Sequence, residues 1–213
     1  MRALRLALTK GRIENDAIKL LESRGFDCLP LTDKGRKLIV PLGDSLDVVF
    51  AKAVDVLTYV KAGVCDMGIV GKDTIMETGG AFLEVTDLGF GKCKMCVAAP
   101  VGAELYTGFS RPKIATKFPH IAADYFAGKQ MDVEIIQIDS SVELAPILGL
   151  AHAIVDIVQT GDTLRENGLE VVDEFADIST RFIVNMASFK MRTREISELI
   201  EAISAKEGGV MAC

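Results

Sequence analysis

At 213 residues the chain can form one large domain or two smaller lobes with a substantial core, and 49% hydrophobic against 25% charged residues excludes a disordered chain. A formal net charge of -6 excludes a general nucleic-acid binder but allows a local basic pocket for a small anion.

Leu4-Arg5-Leu6-Ala7-Leu8 reads as a short buried strand. No long apolar signal-like stretch precedes it, and no apolar run approaches the ~20 residues that span a bilayer, so a cytoplasmic protein is expected. Thr9-Lys10-Gly11-Arg12 reads as a turn with two cations. A helix follows from Ile13 to Arg24, with Ile13, Ala17, Leu20 and Leu21 on one face and Gly25 as its stop. Arg36-Lys37-Leu38-Ile39-Val40 and Asp47-Val48-Val49-Phe50-Ala51 read as strands, and Asp55 as the cap of a helix running to Ala62. Asp66-Met67-Gly68-Ile69-Val70 is a further buried strand, with Gly71-Lys72-Asp73 a turn before a helix from about Thr74.

Residues 82–99 are strand-rich, and 100–112 read as a surface connection. Lys113–Thr116 is a short strand, Pro119 opens a helix ending before Gly128, Val133–Ile138 is a strand and Val142–Leu148 a short helix. The run Ile154-Val155-Asp156-Ile157-Val158 is a strand that breaks into Gln159-Thr160-Gly161-Asp162-Thr163-Leu164. Leu169–Val172 and Arg181–Asn185 are strand-like, and Arg192–Ala205 is an amphipathic helix with Ile196, Leu199, Ile200 and Ile203 inward. The tail Glu207–Cys213 reads as frayed.

Strands alternate with helices nearly throughout, which predicts an α/β fold with mostly parallel sheets and ligands at the carboxyl ends of strands. A crossing near residues 90–98 and a return near 178–185 divide the chain into 1–92 plus 180–213 and 93–179. The last helix is then expected on the first lobe, and the active site in the cleft between lobes.

The chemistry concentrates at Asp156–Thr163. A strand-to-helix turn with two hydroxyls and orphan backbone N–H groups is suited to a phosphate, and an aspartate inside an apolar strand suits sugar hydroxyls or a bound metal. Together they point to a ribose phosphate; a capped helix with a structurally paired aspartate is the alternative. The usual phosphoribosyltransferase loop carries two adjacent acids before Thr-Gly-x-Thr, and here Val155 takes the first position. Lys10, Arg12, Arg36, Lys37 and Lys52 lie at turns or strand ends, either as a cationic wall for phosphate oxygens or as a solvated edge.

The two histidines, His120 and His152, have no serine, cysteine or metal-ligand partner at a telling spacing. No P-loop is present, and Gly89-Phe90-Gly91 lacks the rest of a dinucleotide fingerprint. The five cysteines, an odd number, read as packing thiols, including the Cys93-Lys94-Met95-Cys96 pair.

Glu143, Gly149-x-Ala151, Ile154, Asp156-Ile157 and Thr160-Gly161-x-Thr163-Leu164 together form a signature that resembles the ATP phosphoribosyltransferase family. Lys10-Gly11-Arg12, Arg36-Lys37-Leu38-Ile39, Gly63–Ile69, Ile114–Pro119 and Ser179–Asn185 extend the resemblance over nearly the whole chain. Gly35, Leu57 and His152 depart from it, standing where serine, proline and aspartate are common.

The resemblance implies a two-lobed fold like the type II periplasmic binding proteins. It also implies transfer of 5-phosphoribosyl from phosphoribosyl pyrophosphate to N1 of ATP, with Mg²⁺ and no assigned protein ligand to it. It assigns Arg36, Lys10 and Arg12 to catalysis, and Glu143, Asp156, Thr160, Gly161, Asp162 and Thr163 to phosphoribosyl pyrophosphate. Lys10, Gly11, Arg12, Lys52 and Lys117 are assigned to ATP or pyrophosphate. The first lobe is then the ATP side. The length resembles the short form, without a C-terminal regulatory domain, which works with a histidyl-tRNA synthetase-like regulatory subunit as a hetero-octamer.

Overall fold

A computed structural model describes residues 2–107 and 111–204. The expectation for the tail Glu207–Cys213 lies outside the described residues. In chain order the first elements are β1 (Leu4–Thr9), α1 (Arg12–Ser23), α2 (Leu29–Thr32), β2 (Ile39–Leu42), β3 (Leu46–Ala51), α3 (Ala53–Lys61), β4 (Met67–Gly71), α4 (Lys72–Thr78), β5 (Leu83–Asp87) and β6 (Cys93–Pro100). Then come β7 (Lys113–Thr116), α5 (Pro119–Gly128), β8 (Glu134–Gln137), α6 (Leu144–Ile147), β9 (Ala153–Val158), α7 (Asp162–Glu166), β10 (Leu169–Ile178), β11 (Thr180–Val184), α8 (Met186–Met191) and α9 (Thr193–Ser204).

The chain divides into two compact units, Met1–Ile75 with Gly79–Gly91 and Ser179–Cys213, and Met76–Thr78 with Lys92–Ile178. The first unit holds a six-stranded sheet in the order β2-β3-β1-β4-β11-β5. Alternation along β1 sets its two faces. Leu6 and Leu8 pack with Ala17, Ile18 and Leu21 of α1 and with Ile196, Leu199 and Ile203 of α9. Ala7 faces Val56, Leu57 and Val60 of α3. Gly68 lets α3 approach closely: a Cβ there would lie 2.9 Å from a Val56 methyl. The last helix therefore packs on the first unit, as its apolar stripe predicts.

The second unit holds a five-stranded sheet in the order β10-β6-β9-β7-β8. Met95, Val97 and Ala99 of β6 and Ala153 and Val155 of β9 join Ile121, Ala122 and Phe126 of α5 on one face. Ala98 and Ile154 meet Val142, Ala145 and Leu164 on the other.

Several sequence expectations change. The sheets are mixed, with four parallel and five antiparallel pairings among the described residues, rather than mostly parallel. The cause is local: β2 and β3 form a hairpin, and β6 and β10, where the chain enters and leaves the second unit, run antiparallel. Arg36 lies in a turn, not a strand, and β2 runs on through Pro41, which its edge position tolerates. Lys52, not Asp55, stands at the N-cap of α3, and Asp55 sits in its first turn, where an acid suits the helix dipole. No turn separates β4 from α4, since Gly71 ends one and Lys72 starts the other. β10 extends to Ile178 through two register shifts, its acids having hidden the strand pattern. The additional helix α8 is capped by Asn185, whose side chain accepts from the Ser188 N–H at 2.8 Å.

Cys28, Cys65, Cys93 and Cys96 are all buried thiols, and burial pushes the pKa of Cys28, Cys65 and Cys96 up to about 11, as packing cysteines require. No helix among the described residues is long and apolar enough to cross a membrane.

Candidate active site

In the second unit, β9 delivers Asp156 to the carboxyl edge of its sheet. β7 and β9 are parallel, with Thr116 opposite Val155, so Lys117 and Asp156 follow as neighbours. The Thr116 hydroxyl donates to the Val155 carbonyl at 2.7 Å and accepts from the Phe118 N–H at 2.9 Å, fixing the point where β7 turns away. The Asp156 carboxylate accepts from the Ile157 N–H at 2.8 Å. Burial raises its pKa above the usual aspartate range; the Ile157 N–H and Lys117 pull it back, and Glu143 adds to the rise.

Beyond β9 the chain turns through Gly161, at φ +76°, a left-handed conformation that favours glycine, and enters α7. Glu143, Asp156, Thr160, Gly161, Asp162 and Thr163 then line one cavity of ≈ 260 Å³. The first-turn N–H groups of a helix have no intrahelical acceptor, which suits a phosphate at this end of the cavity. The Thr160 hydroxyl donates to Asp162 at 2.7 Å, and Asp162 pairs with Arg165.

In the first unit the cations gather at the carboxyl edge of parallel β3, β1 and β4. Thr9 is opposite Ala51, and the Lys10 N–H donates to the Ala51 carbonyl at 2.9 Å, so Lys10 and Lys52 leave the sheet side by side. The Phe50 N–H donates to the Leu38 carbonyl at 2.8 Å, carrying the β2/β3 ladder towards the same edge, and Arg36 lies two residues further on. Gly11, at φ +96°, caps α1, its N–H donating to the Glu14 carboxylate at 3.3 Å, and Arg12 opens that helix. Arg12 acts on Asp73, whose pKa is raised by burial and moderated by the Thr74 N–H and the Arg12 charge.

The structure thus brings Lys10, Gly11, Arg12, Arg36 and Lys52 to one sheet edge of the first unit. The six residues that the resemblance assigns to phosphoribosyl pyrophosphate line one cavity of the second. Lys117, which the resemblance assigns to ATP or pyrophosphate, lies in the second unit, where its charge acts on Asp156. Sequence reasoning missed Asp73, Thr116 and Arg165. Arg165 carried a signal, its i,i+3 spacing from Asp162; Thr116 shows its role only once β7 lies against β9. His152 is structural, its Nδ1 accepting from the Lys113 N–H at 2.8 Å.

The family model "HisG: ATP phosphoribosyltransferase" matches residues 52–205. The chain is 53% identical over 206 residues to the ATP phosphoribosyltransferase of Clostridium kluyveri, covering 96% of this chain and 94% of that one. It is 52% identical over 209 residues to that of Alkaliphilus metalliredigens, covering 98% and 100%. Among solved structures it matches the ATP phosphoribosyl transferase (HisG:HisZ) complex from Thermotoga maritima with TM-score 0.81 and 32% identity, covering 94% of this chain and 96% of that one. The periplasmic aliphatic sulphonate binding protein SsuA from Escherichia coli matches at TM-score 0.58 and 14% identity over 96% of this chain and 68% of its own, a likeness of fold alone. The expected type II periplasmic-binding-protein-like fold holds, and the chain belongs to the ATP phosphoribosyltransferase family.

Proposed function

We propose a division of labour among these side chains for the ATP phosphoribosyltransferase reaction, the pentosyl transfer that opens histidine biosynthesis. N1 of ATP attacks C1 of phosphoribosyl pyrophosphate, the C1–oxygen bond breaks, and pyrophosphate leaves with the bonding pair. Positive charge develops on the ribose and negative charge on the leaving group. Catalysis therefore rests on positioning and on fixed charges rather than on a general base, because N1 is unprotonated at neutral pH.

The residues from Asp156 to Thr163, with Glu143, hold the ribose and its 5-phosphate: Asp156 accepts from ribose hydroxyls, the Thr163 hydroxyl and the turn's backbone N–H groups, that of Asp162 among them, donate to the phosphate, and the Thr160 hydroxyl donates to it on turning from the Asp162 carboxylate. The observation that carries this reading is that all of them line one cavity of ≈ 260 Å³ at a strand's carboxyl end. Arg36, Lys10 and Arg12 neutralise the departing pyrophosphate and the ATP phosphates, with Lys52 and the Gly11 backbone beside them. Lys117 assists from the side of Asp156, whose carboxylate it favours.

The family uses a metal ion; we propose Mg²⁺. Among the described residues no group of three or more His, Cys, Asp or Glu is arranged as a metal cage. Mg²⁺ commonly takes one or two carboxylates plus substrate oxygens, and Glu143 with Asp156 on one cavity fits that demand. When bound, the ion supplies charge neutralisation to the pyrophosphate.

The Thermotoga maritima neighbour is a HisG:HisZ complex. By that likeness this chain pairs with a HisZ-type, histidyl-tRNA synthetase-like regulatory subunit as a hetero-octamer. Its nucleotide substrates support a cytoplasmic location.

Incubation with ATP, phosphoribosyl pyrophosphate and Mg²⁺, with and without that subunit, tests the reading through the ultraviolet absorbance of the adduct. Product in either mixture is expected; no product in both would overturn it.

A further inference from the structure

The cavity at the start of α7 carries a sign problem. Glu143, Asp156 and Asp162 all line it, and no lysine or arginine does so among the described residues. With Glu143 and Asp156 given to the ribose and the metal ion, a sugar 5-phosphate dianion at the turn still meets the Asp162 carboxylate, and like charges brought together lose affinity steeply. Backbone N–H groups and two hydroxyls offset only part of that repulsion.

Arg165 stands one turn along α7 and reaches back over the loop. Its Nη2 pairs with Asp162, and its Nη1 donates to the Thr160 carbonyl at 3.4 Å. Its backbone N–H donates to the Gly161 carbonyl at 3.1 Å. The guanidinium also lies close over Gly161, where a Cβ would come within 3.6 Å of Nη1. Arg165 therefore holds three successive residues of the turn, Thr160 and Asp162 through its side chain and Gly161 through its backbone N–H. Asp162 in turn accepts from the Thr160 hydroxyl, so its charge and the aim of that hydroxyl are set together.

An ion pair this exposed, with side-chain exposures of 68% and 62%, contributes little to folding. Its effect falls on the loop's electrostatics.

We propose that Arg165 is a positioning residue of the phosphate loop. By pairing with Asp162 it neutralises that charge at the cavity and ties Asp162 to Thr160 across the turn, and so sets the affinity for the 5-phosphate of phosphoribosyl pyrophosphate. The inference rests on the assignment of this loop to the 5-phosphate.

The test is calorimetric titration of the full chain with phosphoribosyl pyrophosphate and Mg²⁺. Arg165→Gln should weaken binding roughly tenfold, and Arg165→Lys, which keeps the charge, should weaken it less. Combining Arg165→Gln with Asp162→Asn should recover most of the loss, because the charge that needed neutralising is gone. Melting temperatures should stay together, and in turnover the loss should fall on KM for phosphoribosyl pyrophosphate rather than on kcat.

A double variant as weak as Arg165→Gln alone would overturn the neutralising role. Wild-type affinity in Arg165→Gln would do the same, provided that Thr160→Ala with Thr163→Ala still loses affinity. If the threonine pair also binds as wild type, the phosphate-loop assignment itself falls.

Discussion

The Thr116 hydroxyl donates to the Val155 carbonyl at 2.7 Å, joining the end of β7 to the middle of β9 one residue before Lys117 and Asp156. Thr116 is fully buried and also accepts from the Phe118 N–H. Thr116→Val keeps the shape but orphans both partners. A loss of roughly 1–3 kcal/mol in urea unfolding is expected, with weaker binding of phosphoribosyl pyrophosphate. Wild-type values for both would show that this bond does not set the spacing of Lys117 and Asp156.

Asp156 titrates above the ordinary carboxylate range, chiefly through burial, and Lys117 opposes the rise. Below its pKa the neutral acid loses its strength as an acceptor for ribose hydroxyls. Affinity for phosphoribosyl pyrophosphate should therefore fall on acidification, starting above the ~3.9 of a free aspartate. Lys117→Met removes the opposing charge and should move the midpoint to higher pH. Comparing the two proteins cancels titration of the ligand itself; coincident midpoints would exclude coupling between Lys117 and Asp156.

Arg36 lies in the turn before β2, at the sheet edge that also carries Lys10 and Lys52. If it meets the charge of the departing pyrophosphate, Arg36→Ala should lower turnover by roughly 10²–10³-fold, as loss of one transition-state donor does. Near-normal steady-state turnover in that variant removes Arg36 from the mechanism.

Asp66 ties the start of β1 to α8. Its carboxylate accepts from both Arg2 Nη atoms at 2.7 and 2.9 Å, from the Arg5 N–H at 2.9 Å and from the Ser188 hydroxyl at 2.8 Å. Burial pushes its pKa up, but these donors outweigh burial and hold it below the usual aspartate range. The folded pKa lies below the unfolded ~3.9, so its contribution is present above that value and is lost as pH falls through the folded pKa. Asp66→Asn should cost roughly 3 kcal/mol at neutral pH and flatten the acid limb of the stability curve. An unchanged acid limb would mean that other carboxylates carry it.

The strand-turn-helix proposed as the phosphate loop was legible in sequence because its residues are contiguous: an apolar strand, one aspartate, then Thr-Gly-x-Thr. The cationic edge was legible only as residue types. That Lys10 and Lys52 leave side by side depends on Thr9 lying opposite Ala51, a register set by sheet order rather than by any local pattern. Beyond its i,i+3 spacing from Asp162, nothing in the sequence marks Arg165; the left-handed turn at Gly161 brings Thr160 and Asp162 against it. β10 was cut short because Glu170, Asp173, Glu174 and Asp177 break the apolar alternation, while the bulges that accommodate them are tertiary features.

The most direct test of the account is titration of the full-length Thr160→Ala/Thr163→Ala variant with phosphoribosyl pyrophosphate in the presence of Mg²⁺. A loss of affinity of about 10²-fold is expected, the scale of losing two hydrogen bonds to a charged group, with ATP binding retained. Wild-type affinity for phosphoribosyl pyrophosphate would contradict it.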